Sequence, residues 1–335
     1  HMGVEGQNCI EQEIEKMFEN ELSLKGRAFS NYIALKEVCR REIDFGCGIK
    51  LDFQYNPGRK ASVMAKVDEE TLKRRPCFLC PSGLSPEQLT YNWHSATGKG
   101  YLIRVNPFPI FFNHYTISAD YHTRQEIAGR YADMLQLAGE LGRYVIFYNG
   151  PKCGASAPDH FHFQAFPKGH LPIESLVGRE ELRNMLKEEG PTGAQLFELS
   201  GYLRGAYVIK SGSSAAMLQI FEYLYSLGKM HPNEWEPRMN IISWREQESN
   251  SNAGVGAYTT VLFFREESRP KCFWGSEGEE RVYISPASVE MSGVVMTSSR
   301  ETFENLGGEK IKEILNEVSL EGSYADAINN KIREL

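Results

Sequence analysis

The feature that most constrains this chain is a run of alternating polar and aromatic residues near its middle. From residue 160 to residue 166 the sequence reads His-Phe-His-Phe-Gln-Ala-Phe. Successive side chains of a β-strand point to opposite faces, so a strand here places His160, His162 and Gln164 on one face and the aromatic residues between them on the other. We expect the aromatic face to pack in a core and the polar face to line a site.

A loop of small residues precedes this strand. Gly154, Ala155 and Ser156 would let backbone N–H groups approach a phosphate, and the serine adds a hydroxyl. Two alternatives for the His-x-His pair are a solvated strand face and metal ligation alone. The loop, the preceding Asn149 and the strand occur in order within sixteen positions, which favours a site. A histidine on a rigid strand beside a phosphate cradle is suited to covalent catalysis.

A second signal is the pair of thiols at Cys77 and Cys80, whose spacing suits chelation of one tetrahedral zinc ion. A redox pair and a chance occurrence are the alternatives. Two further ligands are needed, and His122 and His160 are the candidates, with His114 competing with His122. Two thiolates and two neutral imidazoles suit zinc, which would act as a structural clamp.

Composition limits the possible partners and surroundings. A net charge of -7 with interspersed signs argues against a nucleic-acid surface. No apolar run approaches the roughly 20 residues that span a bilayer, so no membrane segment is expected. Seven cysteines without a regular framework fit a reducing compartment, and a cytoplasmic location is expected. The sequence does not indicate an oligomeric state.

Hydrophobic periodicity predicts mixed helices and strands along 335 residues, a length that allows about two domains. The pattern favours helices at 12–24, 123–141, 180–188 and 215–227, strands at 144–148, 160–166, 238–244 and 258–264, two strands within 101–118 joined by a proline-containing connection, and a mostly helical tail from 301.

Together these motifs resemble the transferase branch of the histidine-triad (HIT-like) superfamily, which includes galactose-1-phosphate uridylyltransferase, GDP-L-galactose phosphorylase and dinucleoside tetraphosphate phosphorylase. The N-terminal resemblance follows an ordered set: Arg59 after a turn, Arg75-Pro76, the two thiols, Asn106-Pro107-Phe108-Pro109, His122, Asn149-Gly150, Ser156 and the 160–164 strand. Phe161 stands where proline is usual in the uridylyltransferases. The C-terminal part resembles GDP-L-galactose phosphorylase through Ser285-Pro286-Ala287 and Glu290-Met291-Ser292-Gly293.

The resemblance implies an α+β fold with a HIT-like antiparallel sheet, flanking helices and two fused HIT-like halves. The first half, residues 3–175, would carry the catalytic and zinc sites. The second half, residues 176–335, would contribute to the substrate pocket.

The resemblance also implies roles for individual residues. His162 would be the nucleophile, Gln164 and Ser156 would hold the phosphate, and the metal positions would be Cys77, Cys80, His122 and His160. The substrate would contact Arg59, Asn106, Asn149, Gly154 and Ala155.

The implied activity is nucleotidyl transfer through a covalent nucleotidyl-histidine. Phosphorolysis of a nucleoside-diphosphate sugar ranks first, with a GDP-hexose favoured and phosphate or a sugar phosphate as acceptor. Dinucleoside polyphosphate phosphorolysis and hexose-1-phosphate uridylyl transfer follow. A zinc-stabilised nucleotide-binding protein without turnover is the alternative from a different class.

Overall fold

The computed structural model of the protein describes residues 9–189, 193–247, 256–275 and 277–335. The strands in this part of the chain are β1 (Cys39–Gly46), β2 (Ile49–Tyr55), β3 (Tyr91–His94), β4 (Gly100–Val105), β5 (Tyr115–Ala119), β6 (Tyr144–Asn149), β7 (His162–Pro167), β8 (Arg183–Glu188), β9 (Gln195–Leu199), β10 (Ala206–Ser211), β11 (Met239–Arg245), β12 (Tyr258–Phe264) and β13 (Val294–Thr297). The helices are α1 (Cys9–Ser23), α2 (Arg27–Ala34), α3 (Lys60–Val63), α4 (Glu69–Arg74), α5 (Tyr131–Glu140), α6 (Pro172–Leu176), α7 (Ser214–Leu227), α8 (Lys271–Trp274), α9 (Ser288–Met291), α10 (Arg300–Asn305), α11 (Gly308–Val318) and α12 (Gly322–Arg333).

A ten-stranded sheet organises the molecule, with the order β3-β4-β5-β7-β6-β11-β12-β10-β9-β8. Every neighbouring pair in it is antiparallel. The first five strands in this order come from residues 91–167 and the other five from 183–264, and they meet where β6 pairs with β11. The predicted α+β class with a large antiparallel sheet and flanking helices is confirmed.

A second, smaller sheet has the order β1-β2-β13. Strand β13 pairs in parallel with β2, although the two strands are far apart in the sequence. The predicted halves 3–175 and 176–335 therefore share both sheets.

The large sheet is buried on both faces. On one face a core forms with apolar residues of α1, α5, α7 and α12, and it includes Phe161, Phe163 and Ala165 of the motif. On the other face a second core forms with β1, β2, β13 and α11, and it includes Phe166. The prediction that the aromatic face of the 160–166 run packs in a core is confirmed. The polar face points toward the smaller sheet.

Two helix predictions were wrong in part, because pairing with other segments overrode local periodicity. The predicted helix 180–188 is a short 3-10 turn, Glu180–Leu182, followed by strand β8, which pairs with the otherwise open edge of β9. The predicted helix 123–141 is helical only from Tyr131. The segment before it is irregular and ends in a turn, and its backbone bonds to the lead into β7 through Phe161 N to Thr123 O at 2.6 Å.

Among the described helices, none combines the length and the apolar character needed to cross a membrane.

Candidate active site

His162 begins strand β7 between β5 and β6, and its side chain is only 6% exposed. Its Nδ1 lies 2.9 Å from the backbone carbonyl oxygen of His160. A carbonyl can only accept, so Nδ1 carries the proton and Nε2 presents a lone pair. Nε2 forms no hydrogen bond with another described residue. Burial lowers the pKa of His162 to about 4, so the ring is neutral at physiological pH.

Gln125, which sequence reasoning missed, fixes the backbone on both sides of this histidine. Its Nε2 donates to the carbonyl oxygens of Asn149, at 2.9 Å, and His162, at 3.1 Å. Its Oε1 accepts from His162 N at 2.9 Å. One fully buried amide thus ties the end of β6 to the start of β7. The sequence carried no signal for this role, because the residue fell inside an expected helix.

The four predicted metal ligands lie together. One ligand atom from each of Cys77, Cys80, His122 and His160 is within 4.8 Å of all the others. Sulfur and nitrogen are 3.4 Å apart between Cys77 and His160, and 3.2 Å apart between Cys80 and His122. A tetrahedral zinc ion holds its sulfur and nitrogen ligands about 3.6 Å apart. The cluster could therefore hold a metal ion of this kind.

The orientation of His160 supports this interpretation. Its Nε2 donates to the Ala119 carbonyl oxygen at 2.8 Å, which leaves Nδ1, the atom nearest both thiols, without a proton. Metal-binding histidines are commonly fixed through the second ring nitrogen in this way. Buried Arg104 donates to the Leu79 carbonyl oxygen at 2.7 Å and stabilises the loop between the cysteines.

His114, the competing fourth ligand, lies elsewhere. Its Nε2 is 2.8 Å from Gln164 Oε1 on the polar face of β7, and its Nδ1 accepts from Ile110 N at 3.1 Å. Asn106 also belongs to this group, because its Nδ2 is 3.4 Å from Gln164 Oε1. The geometry favours His122 at the metal cluster.

Residues of the second half hold the loop that follows β6. Asn149 Oδ1 accepts from Ser288 N at 2.8 Å, from Ser288 Oγ at 2.6 Å and from Asn240 Nδ2 at 2.9 Å. Asn240 also donates to the Cys153 carbonyl oxygen at 2.7 Å and accepts from Arg265 Nη1 at 2.6 Å. With its oxygen occupied, Asn149 can offer only its amide N–H groups to a ligand. Sequence reasoning did not predict Asn240, Arg265 or Ser288 as site residues.

The loop itself requires glycine at position 154. Gly154 has a φ of +93°, which L residues rarely adopt. A Cβ atom there would lie 2.4 Å from the Cβ of Ala287. The small residues predicted for phosphate approach thus also allow close contact with the Ser285-Pro286-Ala287 motif. A recess at this contact is lined by Ser62, Ala65, Val67, Pro151, Gly154, Ala155, Ser156, Ser268, Arg269 and Ser285.

Arg59 ends a 3-10 turn after β2 and is half-buried. Its Nη1 donates to the Phe108 carbonyl oxygen, while its Nε is buried without a partner among the described residues. A neighbouring carboxyl group, Glu290, has its pKa raised to about 7 by burial, against the opposing influence of Arg59 and Arg265. A buried donor without a partner is costly and is typical of a ligand-binding position.

Residues 17–167 match a sequence family described as a domain of unknown function, DUF4922. No curated protein matches the chain. One similar solved structure is an ADP-glucose phosphorylase from Arabidopsis thaliana with bound ADP-glucose, at 13% identity and a TM-score of 0.38, covering 84% of this chain and 100% of that chain.

Two further similar structures are uridylyltransferases. A uridylyltransferase mutant has 9% identity and a TM-score of 0.37, and covers 88% of this chain and 98% of its own. Another uridylyltransferase has 8% identity and a TM-score of 0.33, and covers 88% of this chain and 99% of its own.

Proposed function

We propose that this protein is a nucleotidyltransferase that works through a covalent nucleotidyl intermediate on His162. The observation that carries the proposal is the tautomer of this residue. The His160 carbonyl oxygen holds the proton on Nδ1, so Nε2 keeps a free lone pair on a ring that burial keeps neutral. A neutral imidazole with a fixed tautomer is ready to act as a nucleophile without first losing a proton.

The proposed reaction has two displacements at the same phosphorus atom. In the first, Nε2 attacks the α-phosphorus of a nucleoside-diphosphate sugar, an N–P bond forms, and the bond to the bridging oxygen breaks to release a sugar phosphate. In the second, inorganic phosphate attacks the α-phosphorus, the N–P bond breaks, and a nucleoside diphosphate leaves. The electron pair returns to Nε2, so His162 ends neutral.

Charge that develops on the phosphoryl oxygens needs nearby donors. We assign this role to the Gln164 amide, the Ser156 hydroxyl, backbone N–H groups of Gly154 and Ala155, and Arg59. A well-placed donor of this kind contributes roughly 3 to 4 kcal/mol to the transition state. Asn149 and Asn106 remain predicted contacts of the substrate, Asn149 through the amide nitrogen left free by Ser288 and Asn240.

We further propose that the metal cluster binds zinc. Cys77, Cys80, His122 and His160 would hold the ion and would tie the 77–80 loop to the ends of β5 and β7. His160 lies two residues before the nucleophile, and its carbonyl oxygen fixes the tautomer of His162. The ion would therefore act as a structural clamp beside the site.

Among substrates, a GDP-hexose with phosphate as acceptor remains the first prediction, on the strength of the C-terminal motifs. Dinucleoside polyphosphates and hexose 1-phosphates are the alternatives. One missing hydrogen bond in a base or sugar pocket changes preference by orders of magnitude, so the panel must be broad. It should contain GDP-, ADP- and UDP-sugars and diadenosine tetraphosphate.

The test is detection of the intermediate. Wild-type protein is incubated with each substrate labelled at the α-phosphate, quenched, and examined for an acid-labile adduct. We expect an adduct with at least one substrate, loss of that adduct in His162→Ala, and full retention in the matched control His94→Ala, an exposed histidine on edge strand β3. An undiminished adduct in His162→Ala would overturn the mechanism. Tight nucleotide binding without adduct or turnover would instead favour a non-catalytic binding protein.

A further inference from the structure

The connection between β4 and β5 has two backbone donors in a short proline-rich stretch. Residues 107 and 109 are prolines and have no N–H, so Phe108 and Ile110 supply the N–H groups of residues 107–110. Both donate to side chains rather than to the sheet. Phe108 N donates to Asn106 Oδ1 at 2.8 Å, and Ile110 N donates to His114 Nδ1 at 3.1 Å.

The bond from Ile110 decides the tautomer of His114. Because Nδ1 accepts, a neutral ring carries its proton on Nε2. Nε2 lies 2.8 Å from Gln164 Oε1 and therefore donates to that amide oxygen. His114 is fully buried, and burial lowers its pKa to about 3, in agreement with a neutral ring.

The bond from Phe108 orients Asn106 in a corresponding way. Its oxygen accepts from the backbone, so its Nδ2 faces Thr116 Oγ1 at 3.1 Å and Gln164 Oε1 at 3.4 Å. Gln164 Oε1 thus faces two donors, and a flipped amide would place its own NH2 group against both of them. The amide nitrogen must point away from His114 and Asn106, and it forms no hydrogen bond with another described residue.

We propose that His114 is a positioning residue, which with Asn106 holds the Gln164 amide so that its nitrogen donates to the phosphoryl group attached to His162. Gln164 and His162 are two positions apart on β7 and share one face of the strand. This inference rests on the proposed function and deepens it. In place of the direct substrate contact predicted for it, Asn106 then acts on the substrate through Gln164. The proline-rich connection acts through the N–H groups of Phe108 and Ile110.

Two substitutions at position 114 test the two hydrogen bonds of this histidine, to Ile110 N and to Gln164 Oε1, one at a time. In His114→Asn, the amide oxygen can still accept from Ile110 N, but the side chain is too short to reach Gln164. In His114→Gln, the amide nitrogen can occupy the place of Nε2 and donate to Gln164. These variants are combined with Gln164→Ala, and His94→Asn serves as the matched control.

The primary readout is the single-turnover rate of adduct formation on His162. We expect Gln164→Ala to lower it about 100-fold and His114→Asn about 10- to 100-fold. The double variant should be no slower than Gln164→Ala, because the two residues act as a unit. His114→Gln restores a donor to Gln164 Oε1, so its rate of adduct formation should be within about fivefold of the wild-type rate. His94→Asn should have the wild-type rate.

A merely structural role, or a metal-binding role, gives different results. We expect His114→Asn to keep the metal content of the wild type and to retain cooperative thermal unfolding. Losses in the two single variants that multiply in the double variant would overturn the inference. A wild-type rate in His114→Asn would also overturn it.

A second readout does not require turnover. Calorimetry measures the affinity for GMP, AMP or UMP, whichever binds the wild type most tightly. The affinities of the wild type, the two single variants and the double variant are then compared. If no adduct forms but the effects of His114→Asn and Gln164→Ala on nucleotide affinity are not additive, the result would count against the proposed reaction and support the positioning role. If an adduct forms but the effects of the two substitutions are independent in both the adduct-formation rate and the nucleotide affinity, the result would count against the positioning role alone.

Discussion

At the scale of single residues, the backbone decides what each buried histidine can do. A carbonyl oxygen accepts from Nδ1 of His162 and leaves a lone pair on Nε2. A backbone N–H donates to Nδ1 of His114 and leaves a proton on Nε2. A carbonyl oxygen accepts from Nε2 of His160 and leaves Nδ1 toward the thiols. Three identical side chains thus become a candidate nucleophile, donor and metal ligand through three different backbone partners.

Arg59 gives a residue-scale prediction that separates binding from stability. Arg59→Met removes a buried donor that lacks a protein partner. If that donor serves the substrate, kcat/KM should fall about 10- to 100-fold, the worth of one charged hydrogen bond. The free energy of unfolding should change by less than about 1.5 kcal/mol, because removal of the unsatisfied buried Nε offsets the loss of the Nη1 bond to the Phe108 carbonyl oxygen.

Steady-state kinetics and urea unfolding of the same preparations check this prediction. Arg300→Met is the matched control, since Arg300 is exposed on α10 and forms an ion pair with nearby Glu304. An unchanged kcat/KM in Arg59→Met would remove this residue from the proposed site.

At the scale of secondary-structure elements, the candidate metal cluster joins the loop of residues 77–80 to the segments at the ends of the paired strands β5 and β7. The thiols lie on a loop between α4 and β3, His122 follows β5, and His160 precedes β7. The loop buries few of its side chains, so it has little apolar packing of its own. We therefore expect metal binding to provide much of the stability of this region.

Removal of one ligand tests that expectation. Cys80→Ser should lower the bound zinc from about one ion per chain to a small fraction, because three ligands bind the ion far more weakly than four. The free energy of unfolding should fall by more than about 2.7 kcal/mol, the stabilisation expected at a free-ion concentration one hundred times Kd.

Metal analysis and denaturant unfolding of protein purified under reducing conditions provide the measurements. Cys39→Ser is the control, because Cys39 is an exposed free thiol away from the cluster. Wild-type protein without zinc under these conditions would contradict the proposal and revive a redox role for Cys77 and Cys80.

At the scale of the whole molecule, polar side chains of the second half reach into the first. Glu236, before β11, accepts from Ile127 N at 2.8 Å and from the Tyr148 hydroxyl at 2.5 Å. Asn240 and Ser288 hold the loop after β6. The second half therefore fixes the backbone next to the nucleophile even though it supplies none of the predicted catalytic residues.

The buried Glu236 makes stability depend on pH in a predictable direction. Burial raises its pKa from 4.5 to about 7. Between these values the folded protein binds a proton that the unfolded chain has lost, so this group's stabilising contribution is complete below pH 4.5 and is lost as pH rises to about 7. Glu236→Gln cannot ionise; its amide oxygen can still accept from Ile127 N, and its NH2 group can donate to the Tyr148 hydroxyl oxygen.

We therefore expect Glu236→Gln to gain stability relative to the wild type as pH rises from 4.5 to 8. The relative gain should be about 3 kcal/mol, from the difference between a pKa of 4.5 in the unfolded chain and a pKa of about 7 in the folded protein. Urea unfolding across this range measures the difference, and Glu222→Gln, an exposed position on α7, should show no such trend. A pH-independent difference for Glu236→Gln would show that the carboxyl group ionises normally in the folded protein.

The sequence alone determined those features whose signal is local. The alternation in 160–166 predicted the strand and its two faces, because side-chain direction in a strand depends on position parity. The strand itself begins at His162, and His160 precedes it. The resemblance, rather than parity, selected His162 as the candidate nucleophile. The spacing of Cys77 and Cys80 indicated a metal pair, and the histidines proposed for it lie beside it in the structure.

Tertiary structure decided the features that depend on pairing between distant segments. Residues 183–188 became a strand because β9 had an open edge. Gln125 accepts a hydrogen bond from His162 N because its segment lies beside the lead into β7. Asn149 accepts a hydrogen bond from Ser288, which lies 139 positions away in the sequence. His114 looked like a possible metal ligand, yet it contacts Gln164. A residue type limits which bonds a side chain can form, but only the folded chain determines which partner is within reach.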